Sequence, residues 1–290
     1  MERPRRTVEE IIQLHRRERS LQKEVFVEGL EDKYFYQAFL ASQSLSQVAV
    51  LEISSVEIPY AHVHRLGLSE GNKGRVVALA SLLEGRLAIN EVVCIADADS
   101  DHFLPRVYNY SLLLLTDYTS IELYIFNNRV MSRLLSVGLS GFPKDANEVI
   151  SDLRGPLEEA FLVRVAGEAL GLVTQETKHS SFCKFDRKRR TIEFQACEYT
   201  SHLFQPTQDK SWRKKLGRLL IELRGRRKSD VRLQIRGHDF RETFGWYIRQ
   251  HPGFGGLNAD TIARMLLGFV DFRDLATERL FLELVRRLGL

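Results

Sequence analysis

The residues whose types and spacing could do chemistry fall into two acidic groups. Glu28 is followed four positions later by Asp32, and Asp97, Asp99 and Asp101 alternate along a second short segment. A spacing of four places Glu28 and Asp32 about one helical turn apart, so both can face one edge. In an extended segment, Asp97, Asp99 and Asp101 would all point to one side. Crowded carboxylates repel one another unless a cation neutralises them. Mg2+ suits such a set because it takes hard oxygen ligands from one or two carboxylates and keeps the rest of its shell for water and phosphate. One or two such ions, Mg2+ or Mn2+, would serve phosphodiester cleavage. Each group taken alone has other uses. Asp-x-Asp also occurs in phosphatases, glycosyltransferases and plain turns, and Asp32 suits a helix cap.

The elements that must hold these groups can be read from the apolar pattern. Strands are predicted over 24–27, 48–53, 91–96 and 110–115, with helices over 32–40 and 76–87 between them. A long connection spans 54–69, and Gly71-Asn72-Lys73-Gly74 reads as a loop in which Lys73 is a solvated lysine. Alternating strands and helices predict an α/β fold with a mostly parallel sheet. Both acidic groups then follow the carboxyl ends of strands, where open α/β sheets place ligand sites. Residues 1–22 read as an amphipathic helix or arm carrying Val8, Ile11, Ile12 and Leu14. Beyond the sheet, helices are predicted over 121–135, 148–170, 211–223, 240–248, 260–267 and 276–288, with a lone strand over 191–197. The predicted division is therefore 1–22, an α/β domain over 23–140 and a mainly helical, basic domain over 141–290.

Composition narrows the class. Hydrophobic residues make up 44% and charged residues 28%, which suits a folded domain and excludes a disordered or fibrous chain. No apolar run is long enough to span a bilayer, and the first residues lack the apolar stretch of a secretory signal. Three scattered cysteines, Cys94, Cys183 and Cys197, exclude a disulfide scaffold or a Cys-x-x-Cys zinc site and suit the cytoplasm. The net charge of +4 conceals a division along the chain. Residues 178–249 hold 19 Lys and Arg against 8 Asp and Glu, leaving 23 against 30 elsewhere. A strongly basic region joined to an acidic one is a footprint of nucleic-acid binding.

The conjunction of strand, Glu-Gly, helix, strand, long connection, helix, strand and Asp-x-Asp resembles the TOPRIM fold of topoisomerases, primases and overcoming-lysogenization-defect nucleases. The resemblance rests on Val27-Glu28-Gly29-Leu30-Glu31-Asp32 and on Ile95-Ala96-Asp97-Ala98-Asp99. A closer likeness, over most of the chain, is to the TOPRIM effectors (AriB) that form the nuclease half of the PARIS anti-phage system. It adds Thr116-Asp117-Tyr118-Thr119-Ser120-Ile121-Glu122 and Arg236-Gly237-His238-Asp239. The resemblance implies a metal site at Glu28, Asp32, Asp97 and Asp99, with Asp101 beside it and Glu28, Asp97 and Asp99 catalytic. It also implies an ABC-type ATPase partner in trans, of the AriA kind, and self-association, with nucleic acid, tRNA included, as the target. Glu122 matches a family acidic position, and Lys178, Lys184 and His238 are further candidates for assisting catalysis. For His238 the favoured reading is structural, at a helix capped by Asp239.

In the basic region Arg187, Lys188, Arg189 and Arg190 form one cluster, Arg213, Lys214 and Arg218 a second, and Arg226 and Arg227 a third. These are the expected phosphate contacts, and Phe182, Phe185 and Trp212 are assigned to the core ahead of base stacking. The phosphate-loop pattern of an ATPase is missing, so nucleotide-driven sensing would come from another chain. Two other readings stand beside the nuclease: a non-catalytic TOPRIM module that binds nucleic acid or the ATPase, and a phosphatase or nucleotidyl transferase of different fold. Leu280, Leu284 and Leu288 offer an apolar stripe either for a homodimer or for the core.

Overall fold

A computed structural model describes residues 5–18, 23–204 and 211–289. The expected N-terminal arm at residues 1–4 and 19–22, and Leu290, lie outside them. The chain forms two compact units. One comprises Met1–Ala98, Arg106–Asp117 and Phe272–Leu290, the other Asp99–Pro105 and Tyr118–Asp271. This differs from the division expected at residue 140, because the last helices return to the first unit.

The first unit is built on four parallel strands in the order β3-β2-β5-β6: β2 (Glu24–Val27), β3 (Ala49–Glu52), β5 (Val92–Ala96) and β6 (Leu113–Leu115). A two-residue parallel pairing of β1 (Arg6–Thr7) with β4 (Val56–Glu57) stands apart. Every residue of β2 and β5 is buried, so the sheet is covered on both faces, as apolar parallel strands require. Phe26, Val92, Cys94 and Ala96 share one core with α1 (Val8–Glu18) and α4 (Asn72–Leu83). Ile11 and Ile12 of α1 are fully buried there, so this helix is part of the core and not a free arm. Glu24, at the start of β2, is sealed in beside it, accepting from Arg6 at 2.8 Å and meeting His15 at 3.3 Å. The connection from β3 to β5 runs through β4 and α3 (Tyr60–Arg65), and the Arg75 guanidinium donates to the carbonyls of Ile53 and Val56 at its start.

The second unit is mainly helical: α5 (Asn128–Arg133), α6 (Ala146–Ala169), α7 (Ala196–Leu203), α8 (Trp212–Gly225), α9 (Gly237–Arg249) and α10 (Ala259–Gly268). The long helix expected over 121–135 is broken into a 3-10 turn at Ile121–Tyr124, α5, and a π turn at Leu134–Gly138. Asn127 stops it, since its side chain caps α5 by accepting from the Val130 amide at 3.0 Å. The strand expected alone over 191–197 is β8 (Thr191–Phe194), paired antiparallel with β7 (Cys183–Asp186).

The helices α11 (Phe272–Leu275) and α12 (Arg279–Arg287) complete the first unit. Phe281 packs against Phe35, Tyr36 and Phe39 of α2 (Leu30–Ser42), with ring centroids 4.6 to 6.1 Å apart. Leu280, Leu284 and Leu288 are buried, so the stripe that could have served a dimer completes this core instead. Among the described residues no helix is long and apolar enough to cross a membrane.

Candidate functional site

The order β3-β2-β5-β6 makes the chain leave β2 toward one side and return for β5 on the other. The carboxyl ends of β2 and β5 therefore flank the switch point of the sheet, where connecting segments diverge and leave a crevice. Glu28 follows β2 and Asp97 follows β5. The two meet directly: the Asp97 amide donates to Glu28 Oε1 at 2.8 Å. Asp32 lies in the first turn of α2, where Oδ2 accepts from the Gly29 amide at 2.9 Å. The capping role expected for Asp32 is thus filled by one of its oxygens, from inside the helix. Glu28, Asp32 and Asp97 are all half-buried, open enough to exchange ligands with solvent.

The turn after β5 is held by its backbone. The Ala98 amide donates to Thr116 Oγ1 at 2.9 Å, and its carbonyl accepts from Lys73 Nζ at 2.9 Å. Lys73 is therefore not the solvated loop lysine of the sequence reading. Gly71 is the N-cap of α4, and Lys73 sits in that helix's first turn. Gly74 is required beside it, because a Cβ there would lie 2.0 Å from the Ser69 carbonyl oxygen.

Asp99 opens the second unit, exposed, with its amide donating to the Thr119 carbonyl at 2.8 Å. Its φ of +49° is the left-handed region, which Asp tolerates better than most residues. The segment bends again at Ser100, whose carbonyl accepts from the amides of Phe103 and Leu104. Asp97, Asp99 and Asp101 therefore do not alternate along an extended strand, and Asp101 Oδ1 is buried.

The 116–122 segment has mixed roles. Asp117 accepts from the Leu280 amide in the first turn of α12, a capping task. Within the second unit the Ser120 hydroxyl and Glu122 carboxylate converge on Gly237, where a Cβ would come within 2.1 and 2.4 Å of their oxygens. Glu122 also lies 3.7 Å from Arg241. His238 and Asp239 differ from expectation. The N-cap of α9 is Arg236, with no side-chain cap, and His238 is exposed in the first turn. Asp239 is buried and receives Arg164 Nε at 3.2 Å. Its neighbour His179 is fully buried, meeting Thr243 Oγ1 at 2.6 Å and the Pro156 carbonyl at 3.2 Å, and burial pulls its pKa down. A sealed imidazole bound by Thr243 and Pro156 has no surface left to meet a substrate. Lys178 and Lys184 are exposed.

The basic clusters lie in the second unit. Arg187, Lys188, Arg189 and Arg190 form the exposed β7–β8 turn, which Asp186 organises by accepting the Lys188 and Arg189 amides. Arg213, Lys214 and Arg218 are exposed on α8, while Trp212, Leu216, Leu220 and Leu223 face inward. The third cluster is engaged internally, Arg226 with the Phe103 carbonyl at 3.0 Å and Arg227 with Glu159 at 3.6 Å. The aromatics take the expected core role: Phe182 packs on Tyr199, Phe185 on His251 and Trp212 on Phe204.

Among the described residues no three His, Cys, Asp or Glu side chains are gathered so that they could hold a metal ion. Glu28 and Asp97, which meet through the Asp97 amide, are hard-oxygen donors of the type that Mg2+ or Mn2+ takes one or two at a time with water retained. No protein-family model matches the chain, and no curated protein matches it. The class is therefore defined by the fold and site alone: a mixed α/β protein with a parallel sheet and acidic residues at its switch point.

Proposed function

We propose that the protein is a Mg2+-dependent TOPRIM nuclease. The observation that carries this reading is the 2.8 Å hydrogen bond from the Asp97 amide to Glu28, which brings two carboxylate-bearing strand ends together at the switch point of a parallel sheet. Glu28, Asp32 and Asp97, all of the first unit, would hold the cation. Bound there, such a cation would supply water activation and charge stabilisation of the leaving oxygen. The protein's own residues fix the carboxylates, and the exposed cations of α8 and the β7–β8 turn bind the phosphate backbone of RNA, tRNA included, or DNA. The likeness to PARIS effectors extends the proposal to an anti-phage effector that acts in the cytoplasm, is activated by an ABC-type ATPase and self-associates when free. A second reading, a non-catalytic binding module, is favoured by one fact: Glu28 and Asp32 each already accept a backbone amide.

The test is cleavage of labelled tRNA and single-stranded DNA with Mg2+ or Mn2+ by wild type and Glu28→Gln. The amide oxygen of Gln can still accept from Asp97, but the charge is gone. A metal's charge stabilisation amounts to several kcal/mol, so activity should fall about a thousandfold. Equal cleavage by the variant would sink the metal-nuclease reading. Binding without cleavage by wild type under either ion would establish the module.

A further inference from the structure

We propose that Lys73 is a positioning residue that holds the Asp97-Ala98 turn ready for a cation. The inference rests on the metal-site reading above and adds a residue to it.

A lysine in the first turn of a helix is locally unfavourable, since its charge opposes the positive end of the helix dipole. Lys73 occupies such a place in α4. Local rules of this kind are broken where another requirement prevails, and here the requirement is visible. Ala98 is buried, so its carbonyl needs a donor, and Lys73 Nζ supplies one at 2.9 Å. The three peptide links through the turn are then each fixed. Glu28 holds the amide of Asp97, Thr116 the amide of Ala98, and Lys73 the carbonyl that joins Ala98 to Asp99. Lys73 comes from the far end of the β3–β5 connection, and the tight packing of Gly74 under Ser69 fixes the turn from which it reaches. The consequence is an acidic turn with its geometry set before any ion arrives. Lys73 acts through the backbone, so it is not a ligand.

The test compares wild type, Lys73→Met, Lys73→Arg, Thr116→Val and Glu28→Gln. It uses metal-free amide exchange of the 97–104 peptide and Mn2+ affinity by titration calorimetry. Lys73→Met is expected to speed exchange of this peptide about tenfold, with β2 and β5 still protected. Mn2+ binding should weaken about 10- to 100-fold, the scale on which supporting residues tune metal sites. Lys73→Arg should restore both. The sign discriminates, because loss of a nearby positive charge would by itself strengthen cation binding. Thr116→Val removes a neutral bond to the same turn and should act in the same direction as Lys73→Met. Wild-type exchange in both Lys73→Met and Thr116→Val overturns the proposal. So does faster exchange with unchanged Mn2+ affinity, which leaves Lys73 a structural tie. Wild type that binds no Mn2+, or Glu28→Gln that binds it equally well, overturns the metal-site reading and the proposal with it. Wild-type affinity in Lys73→Met, beside a wild type that binds and a Glu28→Gln that does not, overturns the proposal alone.

Discussion

Two polar clusters in this molecule are built from similar residues and differ in access. At the carboxyl edge of the sheet, Glu28, Asp32 and Asp97 are half-buried, and Glu28 and Asp32 each accept a backbone amide. In the helical unit, Asp239 and His179 are almost fully buried and their side chains are bound by protein groups, Arg164 Nε for one and Thr243 and Pro156 for the other. Burial is tolerable for the second cluster because protein groups satisfy it, and that satisfaction removes it from chemistry. The first cluster keeps its carboxylates near solvent. By residue type alone, His179 and Asp239 look at least as catalytic as Glu28 and Asp32. Access decides between them.

The strongest way to break this contrast is a crossed pair of substitutions. Asp97→Asn should leave the denaturation midpoint near wild type and reduce nuclease activity about a thousandfold. Asp239→Ala should do the reverse: it leaves the half-buried Arg164 without its carboxylate and costs about 3 kcal/mol of stability, read by chemical denaturation, with activity kept where the protein is folded. If Asp97→Asn unfolds the protein, or Asp239→Ala abolishes cleavage by folded protein, the assignment of roles is inverted. A smaller effect is expected at Thr243→Val, where one neutral buried hydrogen bond to His179 is lost at about 1 kcal/mol. A loss several times larger would mean that the sealed network is cooperative beyond its pairs.

The smallest effect is one of pH. Burial, the largest influence on His179, lowers its pKa despite the raising effects of Asp239, Pro156 and Glu242. The unfolded chain therefore takes up a proton below about pH 6.5 that the folded chain resists, so stability falls as pH drops through that range. Melting temperatures of wild type and His179→Leu between pH 8 and 5 should show the steeper acid slope in wild type. Parallel slopes would remove His179 as the source. Glu24 adds the same sign at lower pH. Burial alone would raise it, but hydrogen bonds from His15 and Arg6 prevail and lower it, so its contribution is lost on acidification below the ordinary carboxylate range.

The parallel sheet was legible in the sequence because apolar runs such as Val25-Phe26-Val27 and Val92-Val93-Cys94-Ile95 end abruptly at acidic residues. The meeting of Glu28 with Asp97 follows once strand order is known. Lys73 was not legible, because a Gly-Asn-Lys-Gly sequence reads as a loop and its partner is a backbone carbonyl, which carries no side-chain signature. The β7 strand was hidden by its turn: Arg187-Lys188-Arg189-Arg190 lacks the usual Asn-Gly or Asp-Gly signal, and Arg190 itself takes a φ of +55°. The alternation of Asp97, Asp99 and Asp101 misled because period two holds only for extended backbone, and the chain turns at Asp99. The two-unit division was equally hidden. Nothing local marks Phe281 as a partner of Phe39.

That partnership has a consequence for how the molecule comes into being. A ribosome delivers the sheet strands before Phe281, Leu284 and Leu288, with most of the helical unit made in between. Until those residues emerge, Phe35, Tyr36 and Phe39 of the helix that carries Asp32 have no cover from them. Vectorial synthesis therefore completes this acidic half only after the helical unit has been made, although its strands precede that unit.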